Sequence, residues 1–258
     1  MKIRLLPSSF DDDGRATQEQ RLSCFVIDDR VTIDAGSVAL SLGERGRAHV
    51  RDVIVTHPHM DHVATLPIFV DDLFATLEEP VRVHATPEVI TLLKRDIFNG
   101  TVYPPFHEFR NGRTHVMEFV PIEPGREFAV AHLRATAVGV THIVPTVGLV
   151  LSDGERTIAF SSDTSATEEF WQLVNRQPRL DALIVETSFP DRLAQLAEVS
   201  GHLTPASLRR ELGKLEHEDV PVLVMHLKPA YREVLINELD ALDHPHLSAM
   251  EVGREYSW

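Results

Sequence analysis

Val53-Ile54-Val55-Thr56-His57-Pro58-His59-Met60-Asp61-His62 decides how the rest of this chain is read, because a β-branched apolar run empties into three histidines and a carboxylate within six residues. The run itself reads as a strand. Three imidazoles and a carboxylate so crowded would be costly to bury uncompensated, whereas one or two divalent cations would give every lone pair a partner. The pattern His-x-His-x-Asp-His at a strand end therefore predicts a metal centre.

The surrounding composition is that of a soluble globular enzyme, with 43% hydrophobic and 25% charged residues in a chain of 258. No composition shift marks a linker, so a single domain over residues 1–258 is expected. No window approaches the ~18 uninterrupted apolar residues of a membrane span. The start, Met1-Lys2-Ile3-Arg4-Leu5-Leu6-Pro7, is too short in apolar residues for a secretory segment and reads as a first strand. Cys24 stands alone, which excludes an intrachain disulfide and a sulfur-rich zinc site and fits a reducing cytoplasm. The formal charge of −14, with no Lys/Arg run, argues against long nucleic acid as a partner. A small anionic substrate remains compatible, since bound cations offset charge locally. A homodimer is left open.

Ser23–Asp28 and Val31–Asp34 read as antiparallel strands around the turn at Asp29-Arg30, closed by Ala35-Gly36. Asp11-Asp12-Asp13-Gly14 lacks the remaining ligands of a calcium loop and reads as a solvated turn. A helix is expected from Asp61 to about Leu77, then a strand at Val81–Ala85, then a helix capped by Thr86 with Pro87 in its first turn. Asn99 to Arg113 has no period and reads as a loop, with Tyr103 and Phe106 packing down onto the core or stacking on a flat base. His107, His115 and His132 have no supporting pattern. From Phe128 onward the chain is strand-rich, and Val147–Leu151 and Thr157–Phe160 form a hairpin through Ser152-Asp153-Gly154-Glu155. His142 precedes that hairpin and Asp163 follows it. Further strands, Leu183–Val185 and Val220–Met225, end at Glu186 and His226, and between them Thr204 caps a helix from Pro205 whose Leu208, Leu212 and Leu215 face the core. The alternation argues for an α/β layered fold.

With His57, His59, Asp61, His62, His142, Asp163 and His226 in that order, the sequence resembles the metallo-β-lactamase superfamily over nearly its whole length. The resemblance implies a four-layer αββα sandwich with two divalent metals, zinc first and manganese or iron as alternatives. It assigns His57, His59 and His142 to one metal, Asp61, His62 and His226 to the other, and Asp163 as the bridge. The segments Phe160-Ser161-Ser162-Asp163-Thr164, Glu186-Thr187-Ser188-Phe189-Pro190, Gly201-His202-Leu203-Thr204-Pro205 and His226-Leu227-Lys228-Pro229 are most similar to class II cyclic-nucleotide phosphodiesterases. The chain departs from that pattern at Met60 and Thr65. The tRNA 3′-processing endonucleases are similar too, but no basic projecting arm is present here.

The resemblance thus implies a metal-dependent hydrolase that converts 3′,5′-cyclic nucleotides to 5′-monophosphates. Two cations about 3.5–4 Å apart can share a water, lower its pKa towards about 7 and aim hydroxide at phosphorus. Besides Asp61, the expected catalytic residues are His202, as donor of the proton to the departing 3′-oxygen, and Glu186, as the carboxylate that orients His202. Whether His202 or a metal-held water delivers that proton stays open at this level. An RNA-processing nuclease, a lactone or thioester hydrolase on the same fold, and a metal-binding scaffold without chemistry remain as alternatives.

Overall fold

The computed structural model describes the backbone of residues 1–258 and every side chain except that of Arg45. In chain order its elements are β1 (Lys2–Leu5), β2 (Phe25–Ile27), β3 (Val31–Ile33), α1 (Val38–Ser41), α2 (Glu44–His49), β4 (Asp52–Ile54), α3 (Met60–Val63), α4 (Leu66–Leu73), β5 (Val81–Ala85), α5 (Pro87–Asp96) and β6 (Met117–Pro121). There follow β7 (Glu127–Val130), β8 (Leu133–Gly139), β9 (Val147–Ser152), β10 (Thr157–Phe160), α6 (Glu169–Asn175), β11 (Ala182–Glu186), α7 (Ala194–Ser200), α8 (Pro205–Leu212), β12 (Val222–Met225), α9 (Arg232–Asp240), β13 (Leu247–Ala249) and β14 (Glu255–Ser257). The chain divides into two units, Met1–Glu123 with Val252–Ser257, and Pro124–Glu251 with Trp258.

Each unit holds one mixed sheet, seven-stranded among the described residues. In the first the order is β14-β1-β2-β3-β4-β5-β6, antiparallel from β14 to β3 and parallel from β3 to β6. In the second it is β13-β12-β11-β10-β9-β8-β7, antiparallel from β7 to β10 and parallel from β10 to β13. Parallel neighbours cannot be joined by a tight turn, so each parallel step is a helical crossover. The crossovers run through α1 and α2, α3 and α4, and α5 in one unit, and through α6, α7 and α8, and α9 in the other. The result is a mixed α/β protein with two sheets flanked by helices.

Central strands are buried throughout. Phe25–Ile27, Val31–Ile33, Ala182–Glu186 and Val222–Met225 expose no residue, as expected of strands covered on both faces. Against the first sheet lie Leu66, Phe69, Val70 and Leu73 of α4 with Val89 and Leu93 of α5, each contributing about 1.5–3 kcal/mol of burial. In the second unit Phe170 and Trp171 of α6, Leu208 and Leu212 of α8, and Leu235 of α9 share a cluster with Leu183, Val185, Val222 and Val224. Among the described residues no helix is long and apolar enough to cross a membrane.

Several local expectations are met. The antiparallel pair β2–β3, the hairpin β9–β10, the Thr86 cap on the Val89 amide and the Thr204 cap, which forms a reciprocal capping box with Ser207, are all present. The single helix expected from Asp61 to Leu77 is instead broken into α3 and α4. Thr65 lies between them with φ −107° and ψ 5°, its hydroxyl donating to the Ala35 carbonyl and accepting from the Ala39 amide. Pro67, in the first turn of α4, brings no N–H for a continuing ladder. Phe106 is buried in the first unit's core against Phe74, and the Tyr103 hydroxyl donates to Asp71, so both aromatics serve packing.

Candidate metal centre

In the first unit the ligand-bearing loop leaves β4 at its carboxyl end, where an open α/β sheet presents its crevice. His57 and His62 are fully buried, and the imidazole centroids of His57 lie 4.8 Å from His59 and 4.0 Å from His62. The His62 Nε2 is 3.7 Å from Asp61 Oδ2. His57, His59, Asp61 and His62 are thus brought together.

Asp34, at the end of β3, holds this loop in shape. Its carboxylate accepts from the Thr56 amide at 2.8 Å, from the Thr56 hydroxyl at 3.0 Å and from His62 Nδ1 at 2.7 Å. Burial pushes the Asp34 carboxyl above the usual range, while the His62 imidazole and the Thr56 donors pull it back. Gly36 completes the cradle, for a Cβ there would collide with the Asp61 carbonyl and would lie 2.8 Å from the Ser23 amide.

In the second unit the corresponding residues again follow strand ends. His142 lies before β9, Asp163 after β10, Glu186 at the end of β11 and His226 just after β12. His226 Nε2 is 3.4 Å from Asp163 Oδ2, and Asp163, His142 and His202 present ligand atoms within 4.8 Å of one another. The His202 and His226 rings stack at 5.4 Å. Glu186, fully buried, accepts from His202 Nδ1 at 2.7 Å and from the Thr164 amide at 3.0 Å, which ties it to the backbone beside Asp163. Burial alone would lower the proton affinity of His202, but the Glu186 carboxylate, with Asp163 behind it, raises it above the ordinary value.

Backbone strain accompanies these placements. Asp34, Ser162 and His226 have φ of 60°, 56° and 61°, a region costly to residues other than glycine that persists where the surrounding structure over-determines the chain. Gly201 has φ 72°, and a Cβ on it would lie 2.8 Å from His142 Nδ1, so only glycine suits it on both counts.

The donor chemistry fits divalent cations. His57 Nδ1 is paired with the Thr56 hydroxyl at 3.1 Å, His62 Nδ1 with Asp34, His142 Nδ1 with the Gly201 carbonyl at 2.8 Å and His226 Nδ1 with the Ser188 hydroxyl at 2.6 Å. In each ring the Nδ1 partner orients Nε2 as the atom to meet a cation, the arrangement that tunes metal-ligating histidines. Asp34 and Ser188 were not singled out by sequence. Asp34 is visible in retrospect as an acid ending a strand before Ala35-Gly36. Ser188, in contact with Glu186, His202 and His226, lies in the family-like segment Glu186–Pro190, which gave no role to its hydroxyl. His107, which packs on Phe119, is not among these residues.

A family model described as the beta-lactamase superfamily domain matches residues 30–226. A probable 3′,5′-cyclic-nucleotide phosphodiesterase of Yersinia pestis is 25% identical over 222 residues, which are 75% of this chain and 63% of that protein. A 3′,5′-cyclic-nucleotide phosphodiesterase of Aliivibrio fischeri is 24% identical over 221 residues, 77% of this chain and 65% of the relative. The chain therefore spans somewhat less than two thirds of the curated relatives it matches. Among solved structures, the metallo-β-lactamase fold protein YhfI of Bacillus subtilis has a TM-score of 0.75 at 17% identity, covering 99% of both chains. Unliganded yeast PDE1 has a TM-score of 0.79 at 17% identity over 98% of each chain. The short form of human tRNase Z has a TM-score of 0.69 at 14% identity, over 100% of this chain and 99% of that one. By the extent of the family match and the agreement of fold, the chain belongs to the beta-lactamase superfamily and has the metallo-β-lactamase fold.

Proposed function

We propose that this protein is a binuclear-metal phosphodiesterase that hydrolyses 3′,5′-cyclic nucleotides to 5′-monophosphates. The observation that carries the reading is the His202–Glu186 pair, a buried imidazole held at 2.7 Å by a carboxylate beside Asp163. The names of the two sequence relatives supply the substrate class. The residues to hold the ions are His57, His59 and His142 for one, Asp61, His62 and His226 for the other, and Asp163 for both. Two divalent cations, zinc first, supply Lewis acidity there and lower the pKa of water towards about 7.

The chain's own groups perform the rest. In the step proposed, a water oxygen attacks phosphorus, the bond from phosphorus to the 3′-oxygen breaks, and that oxygen takes a proton, leaving the 5′-monophosphate. His202 engages Glu186 through Nδ1, so the proton donor is Nε2. Glu186 raises the proton affinity of the ring, which suits a general acid working near neutral pH. Ser188, touching Glu186, His202 and His226, keeps acid and ligand in register.

Protein loaded with zinc or manganese is expected to convert cyclic AMP or cyclic GMP to the 5′-monophosphate. Failure on both, under conditions where a generic phosphodiester is cleaved, would refute the substrate assignment. Faster cleavage of precursor tRNA than of small diesters would replace it by a nuclease, a role that the formal charge of −14 opposes.

A further inference from the structure

A cavity of about 330 Å³ opens at His202 within the second unit, in the range of small-molecule sites, which run from about 300 to 1,000 Å³. His202 is one wall of it. Ala194 and Ala197 of α7, with Leu203, give it low apolar sides suited to a flat ring. Two charged residues also line it, Glu198 from α7 and Arg210 from α8. Among the described residues neither side chain makes an ion pair or hydrogen bond, with the other or with any neighbour. Opposite charges that share one cavity and leave each other unpaired suit a ligand that offers donors on one edge and acceptors on another.

Resting on the phosphodiesterase reading above, we propose that this cavity is the base subsite and that it selects guanine. The proton donor must lie on the side of the leaving 3′-oxygen, and that oxygen carries the nucleoside. The ribose and base are therefore directed to the His202 side, where the cavity lies. Guanine presents two adjacent donors, N1–H and the 2-amino group, to the Glu198 carboxylate, and its O6 and N7 are the acceptor pair that a guanidinium engages bidentately. Adenine has no adjacent donor pair for a carboxylate. Cyclic GMP is accordingly the preferred substrate over cyclic AMP.

The test compares cyclic GMP, cyclic AMP and an abasic ribose 3′,5′-cyclic phosphate on the wild type and on Arg210→Ala, Glu198→Gln and Ala194→Trp. All three positions are exposed, so the variants retain the fold, which thermal unfolding checks. The wild type is expected to favour cyclic GMP over the abasic diester by about tenfold or more in kcat/KM, the worth of one hydrogen bond to a charged group. Each variant is expected to lose most of that ratio, chiefly through KM. Calorimetry on metal-free protein supplies a second readout, with 5′-GMP binding more tightly than 5′-AMP in the wild type and equally in Glu198→Gln. A wild type that treats all three substrates alike, or variants that keep the cyclic GMP preference, would overturn the subsite while leaving the phosphodiesterase reading intact. A wild type that cleaves generic diesters but no cyclic nucleotide would overturn both.

Discussion

Replacing Asp34 by Asn alters one atom in a buried cradle and sets a donor against a donor. Oδ1 accepts the Thr56 amide at 2.8 Å and Oδ2 accepts His62 Nδ1 at 2.7 Å, so both oxygens serve as acceptors. An Asn amide has only one carbonyl. If its nitrogen faces His62, the ring must move its proton to Nε2, the atom intended for a cation. If its nitrogen faces Thr56, a buried backbone N–H is left without an acceptor. Either outcome costs about 1–3 kcal/mol, and loss of a histidine's carboxylate partner typically weakens metal binding by about 10–100-fold. Zinc titration of the metal-free variant against a chromophoric chelator is expected to show one ion weakened by that factor. The metal-free Tm should fall by about 2–12 °C for a chain of this size. Wild-type affinity and Tm would refute the argument. Burial raises the proton affinity of Asp34, and a silent substitution would mean that the carboxyl is protonated and already presents one donor and one acceptor, as Asn does.

His202→Ala should lower kcat on a cyclic nucleotide by about 10²–10⁴, the usual worth of a general acid, and lower hydrolysis of bis(4-nitrophenyl) phosphate far less, because 4-nitrophenolate departs without a proton; equal losses in steady-state assays would make His202 structural. Gly201→Ala puts a side chain at φ 72° and a Cβ 2.8 Å from His142 Nδ1, so a thermal melt should show a loss of about 1–2 kcal/mol and metal analysis a weaker ion. An unchanged melt would mean that this backbone relaxes. Burial raises the pKa of Asp52, but hydrogen bonds from His84 and Arg82 outweigh it and hold the carboxyl at about 2. That lies below the unfolded value of about 3.9, so a contribution of about 2 kcal/mol is present at neutral pH and is lost as pH falls from about 4 through about 2. Asp52→Asn should be less stable at pH 7 by about that amount and should lack this part of the acid limb in denaturant titrations; an acid limb like the wild type's would refute the assignment.

Strand ends and the residue types that follow them were legible in the sequence because they are local. A β-branched run followed by His57, His59, Asp61 and His62 names a strand and its cargo, and Thr86-Pro87 and Thr204-Pro205 state their helix starts outright. The break between α3 and α4 was not legible, since Thr65 leaves the helical path for partners on Ala35 and Ala39, which local spacing does not reveal. The same holds for Asp34 and Ser188, whose roles depend on the imidazoles that other strands bring to them.

By itself the sequence determined the residue types and their order: a strand-end cluster of His57, His59, Asp61 and His62, then His142, Asp163, Glu186 and His226 each following an apolar run, with His202 in the loop before the Thr204 cap. Tertiary structure alone decided which nitrogen of each ring is held and which is presented. That choice belongs to Thr56, Asp34, Gly201 and Ser188, and in three of the four rings the partner lies 28, 59 or 38 positions away in the chain. A tautomer is set by whatever acceptor lies 2.6–3.1 Å from Nδ1, and over such separations only the folding of parallel strands by helical crossovers brings the acceptor there. The opening stretch therefore names residue types suited to a metal, and the fold decides how each ring is presented.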